Sequence, residues 1–260
     1  MKITFLELQN DRARVLFEDT TPYFINAIRR TMISDIPKLA IEDVTIYDNT
    51  SALFDEIIAH RLGLIPLPTH LDLLSFRDEC TCNGAGCPSC VVHYTLSKEG
   101  ECVVYSGDLR PEDPMWAVVD KNIPIVKLMK DQRLILEAAA ELGTGRTHAK
   151  WQVACGVGYK YYPLIKVDKE KCNLCGACVE ACPRSILEIK RNKLSVKHSE
   201  NCIMCKSCVE ACRKEAITVE GDENRIIMQY ETDGSMSAKD ALKEAISILH
   251  KKYEEMKEKL

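Results

Sequence analysis

The chain has 260 residues, 46% hydrophobic and 28% charged, which excludes wholesale disorder and collagen-like repeats and leaves room for one to three globular domains. Thirty-five Lys and Arg against 39 Asp and Glu give a net charge of -4 and a pI near 5.9, the wrong sign for a chain that holds nucleic acid by itself. The opening MKITFLELQND has no secretory h-region and no stretch approaches the ~20 apolar residues of a membrane span, so a cytosolic location is expected, where the 14 cysteines read as metal ligands before disulfides.

In chain order, Thr21 and Pro22 read as an N-cap and first helical position, and Ile25, Ile28, Met32, Ile33 and Ile36 recur at helical spacing until Pro37 ends the helix. Arg29 and Arg30 on this helix fit a solvated or partner-facing edge better than an anion site. IEDVTIYDN then alternates as a strand, and ALFDEIIAHRLGL reads as a helix closed by Gly63. Asp55, Glu56 and His60 on that helix have no nucleophile or cofactor loop beside them, so no catalytic role is assigned.

The first cysteine group, Cys80-x-Cys82-x4-Cys87-x2-Cys90, lies in a loop rich in glycine and proline. Four thiolates so close together suit a closed structural zinc knuckle without an open position for hydrolytic water, with disulfide pairing as the alternative. His93, nearby in VVHYTL, belongs to the polar face of an alternating strand. ECVVYSG, IPIVKL, QRLILEAAAEL and AKWQVACGVGYKYY continue the strand-like pattern, and Cys102 and Cys155, isolated in two of these runs, are expected to be ordinary buried thiols. GTGRTHAKW lacks the spacing of a phosphate loop and reads as a strand connection, leaving Arg146 and His148 available for a protein contact.

The strongest signal is KCNLCGACVEACPRSILEI followed by NCIMCKSCVEACRKEAITV, two C-x2-C-x2-C-x3-C runs thirty residues apart. That run wraps three thiolates around one iron-sulfur cubane and sends the fourth to its neighbour. It assigns Cys172, Cys175, Cys178 and Cys212 to one 4Fe-4S cluster, and Cys202, Cys205, Cys208 and Cys182 to a second. Zinc has no reason to prefer three-plus-one spacing twice. The second run has Lys206 and Arg213 where the first has Gly176 and Pro183, so its cluster is expected to be looser or differently tuned. ILEIKRNKLSVK between the runs reads as a β-hairpin turning at Arg191 to Lys193. At the C-terminus, Ser237 and Asp240 form a capping box, and Leu242, Ile246, Leu249, Tyr253, Met256 and Leu260 make a heptad seam that needs a helical partner. The expected fold class is α+β.

FINAIRRTMISDIP, SALFDEIIAHRLGLIPL and GTGRTHAKWQVA, in this order and together with the cysteine loop and the ferredoxin-like insert, resemble the D-type, alpha-like subunit family of archaeal RNA polymerases. That family is the counterpart of bacterial alpha and of the third-largest eukaryotic core subunit. The resemblance implies an alpha-like dimerisation domain assembled from residues 1-38 and 224-260, a mixed, mainly β insert domain at 39-165 carrying the loop 80-90, and a ferredoxin-like domain at 166-223. It also implies pairing with the small alpha-like subunit L, then contacts with subunits N, P and the second-largest subunit. Ile25, Ile28, Arg29, Arg30, Met32, Leu242, Ile246, Leu249 and Tyr253 are the candidates for partner binding, with His60, Arg61, Arg146 and His148 for further subunit contacts.

The implied function is a non-catalytic assembly platform for DNA-dependent RNA synthesis, with little or no direct nucleic-acid binding and no catalytic residue in this chain. The two clusters then serve either folding, since a domain of some fifty-five residues has a marginal core, or redox sensing. A ferredoxin-type electron-transfer protein is the alternative, although no flavin or nicotinamide fingerprint accompanies the cysteines.

Overall fold

The computed structural model describes residues 1-260. It opens with strands β1 (Lys2–Leu8) and β2 (Arg12–Glu18), helix α1 (Pro22–Ser34), strand β3 (Pro37–Asn49) and helix α2 (Asp55–Gly63). Strands β4 (Val91–Glu99), β5 (Cys102–Tyr105), β6 (Arg110–Pro111), β7 (Pro124–Leu128), β8 (Arg133–Thr144) and β9 (Ala154–Val167) follow. Helix α3 (Ala177–Glu180), strands β10 (Leu187–Lys190) and β11 (Lys193–Val196), helix α4 (Ser207–Glu210), strand β12 (Ile217–Thr232) and helix α5 (Ala238–Glu258) complete the chain. The class is α+β, as the sequence predicts, and no helix is long and apolar enough to cross a membrane.

The chain divides into two units, one formed by Met1–Glu7, Arg14–Asn26 and Gly158–Gln229, the other by Leu8–Ala13, Ala27–Val157 and Tyr230–Leu260. The larger unit is built on the sheet β3-β8-β4-β6, whose long ladders run antiparallel from Pro37↔Thr144 to Asn49↔Leu134 and from Val91↔Glu141 to Glu99↔Arg133. Alternation along β8 puts Leu134, Leu136, Ala138, Ala140 and Leu142 on the buried face, where Ile58 and Leu62 of α2 join the same core. Gly63 does not close α2 through a left-handed turn, since Leu64 is the C-cap in right-handed conformation (φ -93°, ψ -4°). The glycines of GTGRTHAKW serve close approach: a Cβ at Gly143 would enter the Trp151 indole, and one at Gly145 would strike the Ile33 carbonyl. Cys102 is half-buried, whereas Cys155 is exposed on β9, contrary to the expectation that both are buried, because the strand leaves that side uncovered.

Thr21 caps α1 through Oγ1, which accepts from the Phe24 N–H at 3.4 Å, and Ile25, Ile28, Met32 and Ile36 are buried as the spacing predicts. Just past the helix, Asp35 accepts hydrogen bonds from Ser34 (2.7 Å), Arg146 (2.8 Å) and Lys252 of α5. Burial pushes this carboxyl up, but the three donors outweigh it and hold it at about 2 against an ordinary 3.8. A depressed carboxylate contributes stability above its unfolded pKa and loses it as pH falls through the folded one. Asp35→Asn is therefore expected to cost about 1–2 kcal/mol at pH 7, discounted because Arg146 is largely and Lys252 half exposed, and only a small fraction of that at pH 2, where the folded carboxyl is about half protonated. Denaturant titrations at the two pH values check this.

Helix α5 begins at the predicted cap, with the Asp240 N–H on Ser237 Oγ at 3.1 Å. Its buried face is Ala238, Ala241, Leu242, Ala245 and Leu249. Ile246 is half-buried and Tyr253, Met256 and Leu260 are 50%, 54% and 100% exposed, so the second half of the heptad seam has no cover within this chain.

The smaller unit contains most of the four-stranded sheet β1-β2-β12-β9, together with the hairpin β10-β11 and the short helices α3 and α4. The hairpin turns on Arg191 (φ 50°) and Asn192 (φ 54°), both left-handed as a two-residue type I′ turn requires.

Candidate metal centres

The two cysteine runs fold as copies. Each places its first two cysteines in a loop that leads into a four-residue helix, α3 or α4, its third within that helix and its fourth just after it. Left-handed backbone recurs at the same offset in both: Leu174 and Met204, Gly176 and Lys206, Ser185 and Glu215. Alternating right- and left-handed residues turn successive N–H groups inward, the backbone arrangement that receives anions and iron-sulfur centres. Gly176 takes this conformation freely (φ 83°), whereas Lys206 takes it (φ 62°) against its Cβ. Lys206→Gly is expected to stabilise the second loop by about 1 kcal/mol, read as a higher denaturation midpoint of the anaerobic protein.

Packing crosses the two copies. Cys172, Cys175, Cys178 and Cys212 line one cavity of about 360 Å³, with Arg213 and Lys214 also on its wall. Cys182, Cys202, Cys205 and Cys208 line a tighter one of about 20 Å³, with Arg184 and Lys206. Each cavity thus gathers three cysteines of one run and the last cysteine of the other, the grouping predicted from the spacing. Burial raises the pKa of the Cys178 and Cys208 thiols, the equivalent positions of the two runs, while the Ser207 hydroxyl lowers that of Cys205.

Residues remote in sequence hold the second run. Arg14 of β2 donates to Asn201 Oδ1 at 2.7 Å and to the Glu200 carbonyl, and Lys160 of β9 donates to the carbonyls of Glu200 (2.9 Å) and Cys202 (2.5 Å). No local pattern marks Arg14 or Lys160 in the sequence, because their partners lie 40 to 187 positions away.

In the larger unit the loop before β4 brings Cys80, Cys82, Cys87 and Cys90 together, with all four sulfurs within 4.8 Å of one another. The Sγ separations are 3.5 Å for Cys80 and Cys87, 3.6 Å for Cys82 and Cys90, and 3.9 Å for Cys87 and Cys90. A tetrahedral zinc with Zn–S bonds of about 2.3 Å has S···S edges of ~3.8 Å, so the donor set fits that ion, and none of these pairs is at the ~2.05 Å of a disulfide. The Gly86 backbone N–H lowers Cys82 to about 6, and burial raises Cys90 to about 12. Arg77, which carries no signal in the sequence, ties the loop to β8: Nε donates to the Gly84 carbonyl (3.1 Å) and Nη1 to Glu141 (3.2 Å). His93 stays on the exposed face of β4.

Among the partner candidates, Ile25, Ile28 and Met32 are fully buried in the chain's own fold, and Leu242 and Leu249 nearly so. Arg29 is half-buried, and Arg30, His60 and Tyr253 are exposed. Arg61 donates to the Ile125 carbonyl (2.5 Å), Arg146 binds Asp35, and His148 Nδ1 accepts from the Lys150 N–H (3.1 Å), so these three have tasks within the chain.

Residues 44–159 match the RNA polymerase Rpb3/RpoA insert domain, and residues 164–213 match the 4Fe-4S dicluster domain, which makes this an iron-sulfur-binding chain. Along its whole length it is similar to proteins named DNA-directed RNA polymerase subunit Rpo3. That of Methanothermobacter thermautotrophicus is 47% identical over 98% of this chain and 97% of its own length. Those of Archaeoglobus fulgidus (43% identical, 98% and 96% covered) and Methanosarcina acetivorans (42%, 98% and 97%) are similar in the same way. An alpha-type insert fold interrupted by a cysteine loop and followed by a dicluster unit, in a chain matched end to end by these subunits, places it in one family: the chain belongs to the archaeal DNA-directed RNA polymerase subunit Rpo3 family, the D-type subunits of that enzyme.

Proposed function

We propose that this polymerase subunit is a non-catalytic assembly platform, working in the cytoplasm, that pairs with subunit L and then takes up subunits N, P and the second-largest subunit. The observation that carries this is the uncovered half of the α5 seam, where Tyr253 and Met256 are half exposed on a helix whose apolar stripe continues from the buried Leu242 and Leu249. An apolar stripe of this kind needs a facing helix. The pairing domain is assigned to residues 1-38 and 224-260, the insert domain to 39-165 and the ferredoxin-like domain to 166-223. Ile246, Tyr253, Met256 and Arg30 are assigned to the partner contact.

The dicluster unit is assigned two 4Fe-4S clusters, one on Cys172, Cys175, Cys178 and Cys212, the other on Cys182, Cys202, Cys205 and Cys208. Such clusters can exchange single electrons, but here their binding energy is assigned to folding, because the unit's own core is small. Cys80, Cys82, Cys87 and Cys90 are assigned one structural zinc ion, with no position left for water or substrate. These cysteines would bind and orient the metals.

Anaerobic purification of the tagged chain from its own cells, with mass spectrometry of its partners and metal analysis, tests the reading. Subunit L and the large polymerase subunits are expected, with about eight irons per chain, the content of two cubanes. The variant Tyr253→Asp with Met256→Asp is expected to keep its iron and lose L. Redox enzymes recovered without polymerase subunits would overturn the platform in favour of electron transfer.

A further inference from the structure

The two cysteine runs are copies thirty residues apart, yet the segments that lead into them are held differently. In the first run Asp168 organises its own loop. Its Oδ1 accepts from the backbone N–H of Glu170 (2.9 Å) and Lys171 (3.3 Å), and its carbonyl accepts from the Cys172 N–H (3.1 Å). The position thirty residues on is His198, left-handed at φ 47°, whose Nδ1 lies 3.2 Å from Glu200 Oε1. A carboxylate cap is missing there, and the loop is gripped from the sheet instead.

Lys160 of β9 reaches the carbonyls of Glu200 and Cys202, and Arg14 of β2 reaches the Glu200 carbonyl and the Asn201 side chain. Tyr162, two residues along β9 from Lys160, meets Ser199 Oγ at 2.7 Å, and its ring carries the Arg225 guanidinium at 3.9 Å. Four consecutive residues, 199 to 202, ending on the first cysteine of the second run, are therefore held by side chains of β2 and β9, with Arg225 of β12 behind Tyr162. A charged donor on a carbonyl is among the stronger hydrogen bonds a protein makes, and two cations converge on one here. No side chain of β2 or β9 reaches the corresponding residues of the first run: apart from the backbone bond of the Asp168 N–H to the Ala216 carbonyl (2.8 Å), their bonds stay within four residues.

We propose that Lys160 and Arg14 are positioning residues for the second iron-sulfur site: they fix the backbone of its ligand Cys202 and couple that site, but not the first, to strands β2 and β9. The proposal rests on the two-cluster assignment. It has two consequences. Loosening the grip exposes one cluster and spares the other. The Lys160 ammonium, 2.5 Å from the Cys202 carbonyl, also favours the more negative, reduced state of the cluster held there, so its removal lowers one midpoint potential.

The test uses the full chain purified anaerobically with its copurifying subunits, as wild type, Lys160→Met, Lys160→Arg, Asp168→Ala and Tyr162→Phe. Iron release to a chelator in air and potentiometric titration are followed for each. Lys160→Met is expected to release half of its iron roughly tenfold faster, the loss of one charged hydrogen bond, and to lower one of two midpoints. Lys160→Arg restores both readings, which a merely structural role would not require of the potential. Asp168→Ala accelerates the other half, and the milder Tyr162→Phe accelerates the same half as Lys160→Met by a smaller factor. Release from Lys160→Met and Tyr162→Phe at the wild-type rate, or equal acceleration of all the iron, overturns the proposal. Wild-type protein holding the iron of a single cluster would instead sink the two-cluster assignment, on a number obtained before any variant is compared.

Discussion

Replacing Cys212 with serine is expected to cut the iron content from about eight to about four per chain and to unfold the region around the hairpin β10-β11, the larger unit keeping its structure. Cys212 comes from the second run but faces Cys172, Cys175 and Cys178 across the first cavity, so its removal breaks a link between the two copies as well as a ligand set. The cost is large because of what the core of this unit is made of. Its buried members are Cys178, Ile186, Leu187, Leu194, Cys202, Cys208, Ile217 and Val219, three of them assigned ligands. Five aliphatic side chains are a small core for a segment of this length, and metal binding that exists only in the folded state adds directly to folding. Hydrogen exchange should show lost protection at 187-196 with the β3-β8-β4 ladders unchanged. A variant that retains all of its iron and its protection would sink the crossed ligand assignment. Cys155→Ser is the control: that thiol is exposed on β9 and belongs to no cysteine group, so iron and stability should stay at the wild-type level.

Much of this was legible because the signals are local. Thr21, Pro22 and Pro37 bracket α1, and the cysteine spacing already implies the crossed sets that the two cavities gather, since a three-plus-one run leaves its fourth thiolate out of reach of its own loop. What was not legible depends on contacts between distant segments. Arg14 and Lys160 look like ordinary strand cations until β2 and β9 meet the loop at 198-202. Arg77 is one basic residue among 35 until it reaches Gly84 and Glu141. The heptad pattern of α5 correctly implies a helix with a stripe, but the chain's own fold buries an alanine face at its start, Ala238, Ala241 and Ala245, and leaves the end of the seam bare. Periodicity identifies the stripe; only tertiary packing tells which part of it is already covered. Gly63 shows the same limit in reverse, since a glycine near a helix end suggests a left-handed cap and the backbone there stays right-handed at Leu64.

Cys90→Ser is expected to abolish binding of one zinc ion and to remove exchange protection from residues 78-90, with β4 and β8 still paired. Cys90 is fully buried at the foot of β4, in one cluster with Cys80 and Val91 and in reach of both Cys82 and Cys87, so no other residue of the loop can replace its sulfur. A serine hydroxyl there would be buried without the metal it cannot hold, adding a desolvation cost to the lost coordination. The damage is confined because the ladder from Val91↔Glu141 to Glu99↔Arg133 rests on the separate core of Tyr94, Leu96, Leu136 and Ala138. Arg77 keeps a residual hold on Gly84, so Cys90→Ser with Arg77→Ala should free the loop further than either change alone. Chelator and reductant distinguish the two chemistries open to these thiols. If zinc holds the loop, a strong chelator lowers the thermal midpoint and a reductant does not. If disulfides hold it, the reductant lowers the midpoint and the chelator leaves it where it was. Sulfurs 3.5 to 3.9 Å apart, near the edges of a zinc tetrahedron and far from bonding distance, favour the first result.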